Sequence, residues 1–161
     1  MKENWTYRRG DIYLADLNPY IGSEQGGARP VLLLQNNTGN FYCPTLIVAP
    51  LTARRGKKPH QPTHYLLSSV KGMDGASVVL LEQIKTIDKH RVVRYIGRAS
   101  CEQMDGVNEA LQISLGLYIP EELKALEQEM RWSYEYRKND CDFPAGSIPP
   151  DAQGLSGRNE H

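Results

Sequence analysis

The chain has 161 residues, 40% of them hydrophobic, with 19 Lys+Arg balanced by 19 Asp+Glu. That size suits one domain of ordinary length with an appendage, large enough to bury a core without disulfide staples. No run approaches the roughly 18 apolar residues of a membrane span. The start Met1-Lys2-Glu3-Asn4-Trp5 is too polar for a secretory leader, so a cytoplasmic protein with no membrane partner is expected.

The zero net charge hides a division. Residues 1–100 carry 14 Lys+Arg against 7 Asp+Glu, a net +7, and residues 101–161 carry 5 against 12, a net −7. The first part is a basic body suited to polyanions, and the second is an acidic appendage. Arg54-Arg55-Gly56-Lys57-Lys58 concentrates the positive charge in one loop. Cys43, Cys101 and Cys141 are odd in number and share no metal-type spacing with one another or with His60, His64, His90 and His161. Reduced thiols, and no metal site, are the expectation.

Strand-like runs fill the first hundred residues: Asp11–Asp16, Pro30–Gln35, Thr45–Leu51, Thr63–Leu67, Ser77–Ile87 and Val92–Arg98. They are rich in Val, Ile, Leu and Tyr and are separated by Gly, Pro, Asn and basic clusters. Short strands with long polar loops imply a curled antiparallel sheet or small barrel. Residues 30–35 and 77–81 are apolar on both faces and should be central. The period then changes. Ser100-Cys101-Glu102-Gln103 reads as a capping box, with Met104, Val107, Leu111, Ser114 and Leu115 following at helical spacing. Gly106 and Gly116 weaken this helix in isolation, by roughly 1 kcal/mol each, so it must be stabilised by docking. Pro120-Glu121-Glu122 opens a second helix, and the Pro- and Gly-rich end reads as a flexible tail. The expected organisation is a body over 1–118, an additional helix over 119–139 and a tail over 140–161.

One loop carries the richest chemistry. Gly22-Ser23-Glu24-Gln25-Gly26-Gly27-Ala28-Arg29-Pro30 joins the first two strands. Three glycines permit positive φ and close approach of backbone to a ligand. An acid, an amide and a guanidinium sit in that frame, the composition expected where a loop meets a phosphodiester.

Several separate motifs then agree. Arg9-Gly10-Asp11-Ile12-Tyr13, Gly22 to Gly27, Arg29-Pro30-Val31-Leu32, Gln35-Asn36, Thr45 to Thr52, Pro62-Thr63-His64 and Leu81 to Asp88 together resemble the MazF/PemK family of toxin–antitoxin endoribonucleases. The resemblance covers about residues 8 to 117. It implies a mainly β fold with C-terminal helices, an SH3-like antiparallel barrel. It further implies a homodimer, metal-independent cleavage of single-stranded RNA (mRNA), and inhibition by a cognate, partly disordered antitoxin.

RNA carries its own nucleophile, the 2′-hydroxyl, which displaces the 5′-oxygen to leave a 2′,3′-cyclic phosphate and a 5′-hydroxyl. The protein has only to align the chain, stabilise the phosphorane charge and move protons, so no cofactor is expected. Arg29 suits charge stabilisation, because its fork matches phosphate oxygens, and the family implies that it also protonates the leaving oxygen. The resemblance makes Thr52 the second catalytic residue. Glu24 is the candidate for accepting the 2′-hydroxyl proton, or alternatively for reading a base edge. Ser23, Gln25, Gln83, Asn36 and Asn40 are hydroxyls and amides of the kind that read unstacked bases. Tyr20 and Tyr42 offer stacking faces. His60 and His64 form a rival acid–base pair. Two other classes compete: a non-catalytic relative that poisons a protein such as a topoisomerase, and a plain RNA-binding module. The acidic appendage could shield the basic groove, widen the dimer or engage the antitoxin.

Overall fold

The computed structural model describes residues 7–53 and 61–126. Among these, seven strands form an antiparallel sheet: β1 (Asp11–Asp16), β2 (Ala28–Leu33), β3 (Thr45–Ala53), β4 (His64–Leu67), β5 (Ser77–Leu80), β6 (Lys85–Asp88) and β7 (Val92–Arg98). Their order is β4-β5-β3-β2-β1-β7, with β6 also paired to β3. A short helix, α1 (Asn37–Tyr42), joins β2 to β3, and α2 (Cys101–Ser114) follows β7. β2 and β5 are central, as their two apolar faces require.

One expectation needs correction, and one element is new. The run Ser77–Ile87 is not one strand, because a 3-10 turn, Leu81–Gln83 (η1), divides β5 from β6. The helix α1 has no counterpart in the sequence periodicity. It is six residues long, and Asn36 caps it by accepting from the Gly39 N–H.

Side chains alternate across a strand, and the sheet buries a cluster on each face. One holds Ile12, Leu32, Ala49, Leu51 and Val79 together with Val107 and Ala110 of α2. The other holds Tyr13, Ala15, Val31, Leu33, Leu46, Val48 and Ile87. Each fully buried Val or Leu contributes about 1.5–3 kcal/mol. The buried carboxylate of Asp11 is fully engaged, accepting from the Arg8 N–H (3.0 Å), the Tyr13 hydroxyl (2.9 Å) and the Arg98 guanidinium (2.6 Å).

The helix α2 begins with the complete Ser100/Gln103 capping box. Gly116 does not weaken it but ends it. At φ 67°, Gly116 donates to the Ile113 carbonyl (3.0 Å) and Leu117 donates to that of Gln112 (2.8 Å), the two bonds of a Schellman motif. Gly106 lies under the Tyr65 ring, where a Cβ would fall 2.1 Å from Cε2, so the residue that costs propensity is the one that lets α2 dock.

The barrel implied by the resemblance is open among the described residues, since β4 and β7 are unpaired edges. The loop after β4 lies against β7 instead: a Cβ on Gly97 would sit 2.3 Å from the Lys71 carbonyl oxygen. The described residues fall into two units, divided after Pro120. In the second, residues 121–126 are helical, with Lys124 donating to Glu121 at 2.5 Å. The remainder of the expected helix, the expected tail, the 54–58 basic run, His60 and Cys141 lie outside the described residues. Among the described residues no helix is long and apolar enough to cross a membrane.

Alanine is the better strand former on propensity alone. Even so, Gly97→Ala should destabilise the fold by about 1–3 kcal/mol, because its methyl meets backbone rather than a yielding side chain. Urea unfolding measures this; an unchanged midpoint would contradict the packing.

Candidate functional site

Two prolines shape the site. Leu34 N–H donates to the Ile47 carbonyl at 2.9 Å, which makes Leu34/Ile47 a hydrogen-bonded rung between β2 and β3. Such rungs alternate along an antiparallel ladder, so Leu32/Ala49 is the next and Pro30/Leu51 the one after. Proline has no N–H to give. The β2–β3 register accordingly ends at Val31↔Pro50. Beyond it β2 keeps only β1 (Ala15↔Arg29) and β3 keeps only β5 (Thr52↔Val78). The strands fork, with Arg29 on one prong and Thr52 on the other.

Both side chains sit two residues beyond the Val31↔Pro50 pair. The two-residue repeat puts them on the face of Val31 and Val48. Both are half-buried, and Thr52 Oγ has no hydrogen-bond partner among the described residues. Pro50 acts on the other edge of β3. By the same alternation its missing N–H belongs to the rung with Leu80, and the β3–β5 register stops at Leu51↔Val79. The chain turns there into η1, which carries Glu82 and Gln83.

The β1–β2 loop folds over Arg29. Leu17 N–H donates to the Gly27 carbonyl (3.0 Å), and Gly27 N–H donates to the Asn18 side chain (3.0 Å). Gly27 does this at φ 75°, where a side chain would be strained. Gly26 has a different reason to be glycine, since the Tyr20 ring lies against it and a Cβ would fall 1.8 Å from Cδ1. Arg29 Nε donates to the Gly26 carbonyl at 2.7 Å, and Nη1 donates to Gln25 Oε1. The other terminal nitrogen, Nη2, has no partner among the described residues. The guanidinium is held by one side of its fork and open on the other.

Ser23 and Glu24 are exposed at the loop tip. Glu24 accepts from the Ile21 N–H at 3.3 Å. Together with Glu82, Gln83, Ile84 and Lys85 they line a cleft of about 460 Å³. Gln83 Oε1 accepts from the Gln25 N–H (2.7 Å), and its Nε2 donates to the Ser23 carbonyl (3.4 Å). The structure thus joins Ser23, Gln25, Arg29 and Gln83 by hydrogen bonds, with Glu24 beside them in the lining of the cleft. Sequence reasoning missed Glu82 and Lys85, although both stand in the matched Leu81 to Asp88 segment.

Asn36 and Asn40 stand elsewhere, beyond the opposite end of β2. At ~3.3 Å per residue Asn36 is about 20 Å along the chain from Arg29. Asn36 caps α1. Asn40 is buried and donates to the Gln35 carbonyl at 3.0 Å, while its own carbonyl accepts from Lys89 Nζ at 2.7 Å. Nearby, the His90 N–H donates to Asp88 at 2.8 Å, and this bond with the His90 ring holds the Asp88 carboxyl below its ordinary range. Tyr42 is exposed on α1, edge-on to Phe41. His64 is paired with Glu82 at 2.9 Å. Among the described residues no three His, Cys, Asp or Glu side chains converge to hold a metal ion.

These features define a class first: a small antiparallel β protein with an arginine–threonine fork at one end of its sheet. The solved endoribonuclease in complex with its cognate antitoxin from a mycobacterial species has a similar fold, with TM-score 0.59 and 28% identity over 71% of this chain and 99% of that one. Endoribonuclease EndoA of Bacillus subtilis is 53% identical over 111 residues, 68% of this chain and 95% of that protein. Endoribonuclease MazF of Staphylococcus saprophyticus is 53% identical over 112 residues, 69% of this chain and 92% of that protein. Residues 8–115 match the family described as PemK-like, MazF-like toxin of type II toxin–antitoxin system. The chain belongs to that family, and residues 116–161 lie beyond the match.

Pro30→Ala supplies the missing donor. The new amide at residue 30 should be protected from hydrogen exchange by about tenfold or more. The melting temperature should hardly move, because a bond worth about 1 kcal/mol is offset by lost chain stiffness. A freely exchanging amide would refute the origin given for the fork.

Proposed function

We propose that this MazF-type endoribonuclease cuts single-stranded RNA at particular sequences by attack of the RNA's own 2′-hydroxyl, without a metal ion. The observation that carries the reading is the fork, in which a guanidinium edge and a hydroxyl, both without a partner among the described residues, share one face where β2 and β3 cease to pair. A phosphodiester seated there meets Arg29 Nη2 and Thr52 Oγ together. Arg29 neutralises charge as the phosphorane forms, and preorganised charge of this kind usually contributes more to such catalysis than any other single effect. Thr52 donates to a phosphate oxygen and fixes the in-line geometry.

Glu24 takes the 2′-hydroxyl proton, since a carboxylate is a better acceptor than a guanidinium or an alcohol. The new bond joins O2′ to phosphorus as the bond to O5′ breaks. O5′ leaves with a proton delivered from the Arg29 side. The products are a 2′,3′-cyclic phosphate and a 5′-hydroxyl. Ser23, at the exposed loop tip, contacts the adjoining nucleotide. Asn36 and Asn40 stand too far from Arg29 to share its nucleotide, and any contact from them falls on another part of the RNA or comes from a second copy of the chain. The working form is a cytoplasmic homodimer, held in check by a cognate antitoxin of the kind bound in the mycobacterial complex.

Purified protein should cut single-stranded RNA in EDTA and leave 5′-hydroxyl ends that accept label from a kinase without prior phosphatase. Arg29→Ala should lower the rate by about a hundredfold or more with binding changed far less. Intact RNA after long incubation with folded protein would favour the non-catalytic reading, and equal cleavage by the mutant would remove Arg29 from the mechanism.

A further inference from the structure

We infer that Gln83 is a positioning residue: from η1 it clamps the β1–β2 loop and, through Gln25, sets the direction of the Arg29 guanidinium. This rests on the ribonuclease reading above and assigns the amide a task other than reading RNA.

The relay consists of three hydrogen-bonded steps. Gln83 Oε1 accepts from the Gln25 N–H at 2.7 Å, and Nε2 reaches the Ser23 carbonyl at 3.4 Å, so one side chain bridges the loop backbone at two points. Gln25 then turns its own amide oxygen to Arg29 Nη1. The next residue, Gly26, accepts from Nε through its carbonyl at 2.7 Å. Both bonds that aim Arg29 therefore come from the clamped residue and its neighbour. A guanidinium aimed by backbone and amide loses little freedom when a phosphate arrives.

The clamp stands on a fixed base. The Leu81 side chain is fully buried, its N–H donates to the Thr63 carbonyl (3.1 Å), and its carbonyl accepts from the Ser114 hydroxyl of α2 (2.9 Å). Glu82 is paired with His64 of β4 at 2.9 Å. All three residues of η1 are thus engaged, the first two by the scaffold and the third by the loop. The turn follows where the β3–β5 register ends, one rung short of Pro50/Leu80. The competing role, reading a base edge, is open to Gln83 because it lines the cleft with Ser23, Glu24, Glu82, Ile84 and Lys85.

The test compares the full-length wild type with Gln83→Leu and Gln83→Glu in single-turnover cleavage of a defined RNA. Amide exchange of Gln25 is measured on the same proteins without RNA. The glutamate still accepts from the Gln25 N–H but cannot donate to a base. Gln83→Leu should speed Gln25 exchange about tenfold or more. It should also lower kcat by about tenfold to a hundredfold, with KM within about twofold and the cut site unchanged. Gln83→Glu should restore most of both; Gln83→Met replaces the leucine variant if that chain does not fold. A changed cut site, or a raised KM at constant kcat, would show that the amide contacts RNA. Unchanged Gln25 exchange in Gln83→Leu would overturn the clamp at any activity. If the wild type itself does not cut RNA, the functional reading falls, and the exchange measurement still decides the clamp.

Discussion

Two absent hydrogens organise this protein. Pro30 and Pro50 each leave one rung of the sheet without a donor, on opposite edges of β3. The first loss splits β2 from β3 and leaves Arg29 and Thr52 on separate prongs. At the second the β3–β5 pairing ends and η1 follows, which places Gln83 under the loop that holds Arg29. A continuous seven-stranded sheet would have tied up the backbone around both residues. Strand pairing is cooperative, so the openings stay local only because the flanking strands keep other partners. β2 retains β1, and β3 retains β5 and β6.

The site is consequently built from rigid parts and one adaptable part. Arg29 and Thr52 grow from strands whose inner residues are fully buried. Glu24 and Ser23 ride on an exposed loop tip, where the bonds of Glu24 are local, to Ile21, and Ser23 is tied only through its backbone carbonyl to Gln83. A scaffold of this form can hold the phosphate contact constant while loop sequence changes which bases fit beside it. The link from Ser114 through Leu81 and Gln83 to Gln25 also ties the end of α2 to the arginine. α2 ends at the Schellman turn, close to where the family match stops.

Much of this is legible in the sequence, and the reasons differ by element. β1 and β7 follow from their Val-, Ile-, Leu- and Tyr-rich composition and from flanking breakers, and the α2 start follows from its capping box. Arg29, Glu24 and Gln25 stand out as a polar cluster in a glycine frame. The split of Ser77–Ile87 does not, because nothing within that run breaks it, and the pairing ends opposite Pro50, a residue of the partner strand. α1 is too short to show a period. The asparagines resemble base readers by type alone, whereas burial and capping give Asn40 and Asn36 work inside the chain. Glycine in a sequence suggests flexibility, yet Gly26 and Gly106 are small because an aromatic ring rests on each.

The central consequence of the forked strands is a seat for one phosphodiester between Arg29 and Thr52. The direct measurement is a structure with single-stranded RNA lacking the reactive 2′-hydroxyl at the cut position. The expected result is one phosphate with its oxygens within about 3 Å of both an Arg29 nitrogen and Thr52 Oγ, the strands still parted beyond Val31↔Pro50. RNA bound with its scissile phosphate elsewhere, or a ladder closed through Pro30/Leu51, would contradict it.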